Sequence, residues 1–158
     1  MIKLPFFKQD TEYSCGPAAM QMVFRFYGKV FSEQKLIEKL KTDEDIGTNH
    51  KAMVDFACSE GFYVYVNNES TLEEVASFVE RNIPVIIHFI EPCDDDEHYS
   101  VIVGINKDHV TLHDPWNGKE FEIGKKEFEQ RWHSKDCKKW ILVMSTEDLH
   151  LGKQYLPK

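Results

Sequence analysis

The chain has 158 residues, a net charge of −8, and 42% hydrophobic and 13% aromatic residues. That is globular material for one domain with one core, not a disordered tail and not two domains. The acidic balance, with no run of Lys and Arg interleaved with aromatics, argues against nucleic acid and anionic membranes and suits neutral or cationic substrates.

Met1 to Asp10 lacks a basic start followed by a long apolar run, and no apolar stretch approaches about 18 residues. The expectation is therefore no secretory signal, no membrane span and a cytoplasmic location. The first predicted element is a helix over 14–27. Ser14 suits its cap, Pro17 its first turn and Gly28 its stop. Its interior (Ala18, Ala19, Met20, Met22, Val23, Phe24, Phe26) is apolar nearly all round, which predicts a buried helix. A second helix starts at Ser32, with Leu36, Ile37 and Leu40 on one face. A third covers 49–60, with Met53, Val54 and Ala57 inward and Gly61 as its stop. A short strand follows over 62–66. Ser70-Thr71-Leu72-Glu73 reads as a capping box for a helix running to about Arg81.

The character then turns to β. Residues 84–90 form a continuous apolar run, the mark of a buried strand. Strands over 99–105 and 109–113, joined by a tight turn at 106–108, predict a hairpin. Asn117-Gly118 is a turn signal. A strand over 121–123, a short helix over 125–132 and a strand over 140–144 follow. Helices gather in the first half and mostly antiparallel strands in the second, so the fold class is α+β. The expected organisation is one domain over 1–146 and a C-terminal tail over 147–158.

Four cysteines, Cys15, Cys58, Cys93 and Cys137, are scattered without a C-x-x-C pair. This argues against a disulfide framework and against structural zinc, and predicts reduced, mostly buried thiols. Only Cys15 has a chemically suggestive setting. It opens the buried helix, where unpaired N–H groups and the helix dipole favour an anion. A thiol there loses its proton more readily, and the thiolate is the nucleophile. Gly16 would let a substrate backbone come close. Gln9, six residues upstream, could hold a developing oxyanion together with the Cys15 N–H.

A cysteine nucleophile needs an imidazole base. His98 is the best of seven histidines, because it opens a strand after a polar loop, at a rim that is reachable yet rigid. His88 reads as a core residue, and His50, His109, His133 and His150 as surface residues. The base in turn needs an orienting group. Asp114 ends the next strand, and pairing 99–105 with 109–113 brings it to the same open end as His98. His113 points to the opposite face. Trp116 could shield the His–Asp contact. Asp94-Asp95-Asp96-Glu97 reads first as a solvated loop, or as an acidic rim raising the His98 pKa, or as a weak calcium loop.

Gln9-Asp10-Thr11-Glu12-Tyr13-Ser14-Cys15-Gly16-Pro17-Ala18-Ala19 resembles the active-site segment of the bacteriocin-processing, double-glycine leader peptidase family, within the papain-like superfamily. Gly28…Ser32…Leu36, Ile83-Pro84-Val85-Ile86, His98-Tyr99-Ser100-Val101-Ile102-Val103-Gly104 and Asp114-Pro115…Gly118…Phe128…Trp132 extend the likeness over roughly residues 3 to 145. The resemblance implies a papain-like fold, with the nucleophile-bearing helix packed on an antiparallel sheet. It implies Cys15 as nucleophile, His98 as general base and acid, Asp114 as orienter and Gln9 as oxyanion donor. Gly16, Tyr99 and Trp116 are the candidate substrate contacts. The function expected is a cysteine peptidase cleaving a peptide or isopeptide bond through a thioester. The alternatives are an amidase, acyl-transferase or transpeptidase on the same site, or a non-catalytic peptide-binding domain. No metal or organic cofactor is required, and the partner expected is a peptide or acyl-donor substrate, including basic ones.

Overall fold

A computed structural model describes all 158 residues. The elements run α1 (Cys15–Phe26), α2 (Glu33–Lys39), α3 (His50–Ser59), β1 (Tyr63–Asn67), α4 (Leu72–Glu80), β2 (Val85–Ile90), β3 (Glu97–Ile105), β4 (His109–Asp114), β5 (Gly118–Gly124), α5 (Lys125–Arg131) and β6 (Ile141–Ser145). The strands make one six-stranded sheet in the order β1-β6-β2-β3-β4-β5, with every neighbouring pair antiparallel. This is the α+β arrangement that the sequence pattern predicts, and it fits the papain-like fold that the resemblance implies. The sheet closes across the chain, because β1 from the helical half pairs with the last strand.

Alternation along the strands sorts the core into two layers, since successive side chains point to opposite faces. Ile86, Tyr99, Val101, Val103, Leu142 and Met144 meet residues of α1, α2 and α3 on one face. Val85, Ile87, Phe89, Ile102, Ile141 and Val143 meet Val75 and Phe78 of α4, and Phe128 and Trp132 around α5, on the other. Both faces are covered, which is why β2 and β6 read as near-continuous apolar runs. Gly28 (φ 84°) and Gly61 (φ 92°) lie just past the ends of α1 and α3 in the left-handed region, as stop residues.

Two helix starts differ from the sequence reading. Thr71, not Ser70, caps α4 by accepting from the Glu74 N–H. The Glu74 carboxylate turns away to Tyr65 and Asn67 instead of reaching back to the cap, so there is no capping box. Ser14 precedes α1 but makes no side-chain cap bond, for a reason given below. The last residues return to the sheet: Tyr155 exchanges backbone hydrogen bonds with Val64 of β1, and Leu149 is buried.

Candidate active site

Cys15 is the first residue of α1, and Ser14 spends its hydroxyl elsewhere. Ser14 Oγ accepts from the Thr11 N–H (3.1 Å) and the Thr11 hydroxyl (2.7 Å) and lies 3.3 Å from Glu33 Oε2. The helix start therefore carries no side-chain cap, and its positive end is left to an anion at Cys15. Glu33, buried at the start of α2, also accepts the Asp10 N–H at 2.9 Å. Burial, with Asp10 nearby, raises its pKa. It ties the 10–14 loop to the second helix. Sequence reasoning missed it because an acid in a first helical turn is ordinary dipole chemistry.

His98 and Asp114 are both buried, and His98 Nε2 lies 3.0 Å from Asp114 Oδ1. The same oxygen accepts the backbone N–H groups of Trp116 (3.0 Å) and Asn117 (2.8 Å) and the Asn117 side-chain amide (3.2 Å). With Nε2 engaged by Asp114, Nδ1 is the nitrogen left for a thiol.

The register that makes this pair contains a slip. Ile105 pairs with Val110 and Gly104 with Thr111, but after a bulge Ile102 pairs with Leu112 and Val101 with His113. One further step sets Asp114 across from Ser100, on the face His98 shares. Without the bulge Asp114 would stand across from Val101, on the opposite face. The carbonyl of Val103, at the bulge, accepts the Ile2 N–H at 2.8 Å, so the N-terminal segment holds the irregularity in place. That segment continues along β4, where His113 Nε2 lies 2.9 Å from the Leu4 carbonyl. It then delivers Gln9, whose N–H donates to the Pro115 carbonyl at 3.0 Å.

The electrostatics follow from these contacts. Burial would raise the Cys15 thiol pKa, but the His98 imidazolium, aided by the Tyr99 backbone N–H, outweighs it and holds it below its ordinary value. Burial would lower His98, but the Cys15 thiolate and the Asp114 hydrogen bond raise it to about 10. Asp114 is held below the usual carboxylate range, with burial opposing and His98 prevailing. The favoured state of the pair is thiolate and imidazolium. The acidic loop is not among the causes.

Other expectations change. The space beside Gly16 is filled by protein: a Cβ there would lie 2.7 Å from Thr48 Oγ1 and 3.3 Å from the Tyr99 ring. Gly16 and Tyr99 are buried, and the Tyr99 hydroxyl donates to the Thr48 carbonyl at 2.7 Å. Both are packed inside the protein. Trp116 is 39% exposed, and its indole N–H donates to Asp94. It touches the pair through its backbone N–H. Gln9 is buried, with its side-chain nitrogen 2.7 Å from the Thr11 carbonyl, so one of its two amide hydrogens remains. The loop before His98 is built around buried Glu91, whose carboxylate accepts the N–H groups of Cys93, Asp94 and Asp96. His50 is half-buried, not a surface residue, and the thiols are not mostly buried: Cys58 is, Cys15 and Cys137 are half-buried, and Cys93 is exposed. The surface cavities beside Gly104, beside Pro5 and beside Asn49 are lined by neither Cys15 nor His98. No helix is long and apolar enough to cross a membrane.

Comparison with known proteins gives the fold and the family. An uncharacterized protein of Methanothermobacter marburgensis is 31% identical over 112 residues, 71% of this chain and 72% of that protein. The peptidase domain of Streptococcus ComA, a bi-functional ABC transporter involved in a quorum sensing pathway, superimposes with a TM-score of 0.75 at 24% identity, over 93% of this chain and all of that one. A double glycine motif protease from an AMS/PCAT transporter, in complex with the leader peptide, gives 0.72 at 21% identity, over 90% and 91%. The model of the Peptidase_C39 like family matches residues 1–139. The chain belongs to that family of cysteine peptidase-like domains.

Proposed function

We propose that this chain cleaves a peptide or isopeptide bond through a thioester on Cys15. The Cys15 thiolate attacks the carbonyl carbon. The oxyanion that forms is met by the Cys15 N–H and the free Gln9 amide hydrogen. The His98 imidazolium gives its proton to the leaving nitrogen as the C–N bond breaks, leaving acyl-Cys15. Water then attacks the thioester, His98 takes its proton, the C–S bond breaks, and the thiolate–imidazolium pair returns. Asp114 keeps the imidazole oriented and charged.

The observation that carries this reading is a thiol at the uncapped start of α1, coupled to a buried His98–Asp114 pair. The likeness to a protease solved with its leader peptide favours an extended peptide over a small acyl donor.

The test is the rate of alkylation of each cysteine against pH, followed by mass spectrometry in wild type and His98→Ala. Cys15 should react fast well below the ordinary thiol range near about 8.5, and lose that in the variant. With His98 gone burial is the largest influence left on the thiol, so its inflection should move up. A wild-type Cys15 that titrates like Cys58 and Cys137 would sink the proposal.

A further inference from the structure

Three side chains outside the peptidase site converge behind Tyr99. His50 opens α3, His88 lies within β2, and Cys137 sits in the loop before β6. One ligand atom of each lies within 4.8 Å of the others. His50 Nε2 is 3.1 Å from His88 Nδ1, and Cys137 Sγ is 3.9 Å from the same Nδ1. Around a tetrahedral zinc ion, bonds of about 2.05 Å to nitrogen and 2.3 Å to sulfur set N···N near about 3.3 Å and N···S near about 3.6 Å. Those two separations lie within about 0.3 Å of these values, and His50 and Cys137 lie within 4.8 Å of each other. Intervals of 38 and 49 residues between the ligands hide the set from any spacing motif.

We propose that His50, His88 and Cys137 form a binding site for a first-row divalent transition metal of the zinc class, with water in the fourth position. The rings are already held in place. His50 stacks on Trp140 with centroids 3.8 Å apart, and His88 stacks on Tyr99 at 4.2 Å. Little side-chain freedom is then lost on binding. Two imidazoles and a thiolate select zinc, cobalt or nickel over magnesium or calcium. The Asp136 charge, which acts on His50, offsets part of the ion's charge. Binding would release the Cys137 proton and clip the 133–139 loop to α3 and β2, behind the tyrosine whose N–H faces the Cys15 thiol. The site stands whether or not the chain is a peptidase.

The test is titration of the full chain with cobalt(II), read by thiolate-to-cobalt charge-transfer absorption, in wild type, Cys15→Ser, Cys137→Ser and His50→Gln. Circular dichroism of each metal-free variant checks folding, and His50→Gln keeps the size of the ring if Cys137→Ser does not fold. The expected result is one tight equivalent, kept in Cys15→Ser, absent from Cys137→Ser and weakened about a hundredfold or more in His50→Gln. Absorption that disappears in Cys15→Ser and survives in Cys137→Ser would place the metal on the nucleophile and overturn the proposal. So would the absence of any charge-transfer band at millimolar cobalt.

Discussion

Gly16→Ala should damage both stability and the Cys15 site, and the size of the damage can be worked from contacts. The added methyl would lie 2.7 Å from Thr48 Oγ1 and 2.8 Å from Thr48 Cβ, where ordinary contact begins at 3.4 Å. Something must yield by about 0.6–0.7 Å, beyond the roughly 0.5 Å tolerance of a working site. The hydroxyl could rotate, but the Cβ moves only with the backbone. That backbone is held, because the Thr48 carbonyl takes the Tyr99 hydroxyl at 2.7 Å and its Oγ1 lies 2.8 Å from Thr42 Oγ1. Overpacking of this kind costs about 1–3 kcal/mol. At this chain length that is a melting shift of about 2–12 °C. The displaced neighbour is Cys15, so low-pH alkylation should slow and peptide cleavage fall by about ten- to a hundredfold. Thr48→Gly in the Gly16→Ala background should restore both readouts. Thr48→Ala should not, because it leaves the Cβ at 2.8 Å. Wild-type melting and alkylation in Gly16→Ala alone would show that Thr48 is no fixed wall and refute the reasoning.

Asp114→Asn should lower the His98 pKa from about 10 and narrow the alkaline end of fast Cys15 alkylation. It should also destabilise the fold by about 1–3 kcal/mol, since a buried charged hydrogen bond is weakened. The folded pKa of Asp114 is depressed, so its contribution is fully present above about pH 3.9 and fades as pH falls toward the folded value. Melting curves of wild type and variant should therefore converge in acid. Glu33→Ala removes the acceptor of the Asp10 N–H, and the 10–14 loop should loosen. Cys15 alkylation should slow severalfold, with Glu33→Gln, which keeps one acceptor oxygen, intermediate. Cys93 is exposed, yet Asp94 above all, with Glu91, raises its pKa. It should alkylate slowly at neutral pH and faster after Asp94→Asn.

The parts legible in the sequence are those fixed by local chemistry. The apolar run of α1, its glycine stop, the buried strand at 85–90 and the 106–108 turn follow from period, cap and turn residues, and the structure has each of them. The candidate thiol and imidazole were legible because one opens a helix and the other a strand. What escaped depends on neighbours far along the chain. Ser14 has a cap residue's chemistry, but Glu33 of the next helix engages its hydroxyl. His50 looks like a surface residue until Trp140, ninety residues on, covers its ring. Gly16 invites a substrate until Thr48, from the loop before α3, fills the space. No local pattern encodes these three occupants.

The His98–Asp114 pair shows the limit most sharply. Counting outward from the turn brings the two residues to the same end of the hairpin, but a strand end has two faces. A regular ladder drawn through Ile105–Val110 and Gly104–Thr111 would set Asp114 opposite Val101 and turn it from His98. The observed slip sets Asp114 opposite Ser100, diagonal to His98, within reach of a 3.0 Å hydrogen bond. The sequence carries a signal for that slip: Gly104 interrupts the β-branched run Val101, Ile102, Val103 and Ile105, where an isolated glycine marks a bulge. A second support lies outside the hairpin, in the Ile2 N–H that takes the Val103 carbonyl. Deleting Met1–Leu4 should therefore act at a distance. The bulge would lose a partner and the ladder could relax toward the regular register. His98 would then lose Asp114, and the low-pH reactivity of Cys15 would fall while α1 stays intact. Amide exchange across β3 and β4, measured beside Cys15 alkylation, would show the two effects together. Normal alkylation in a truncated chain whose bulge amides exchange freely would separate them, and with them the claim that this register orients the base.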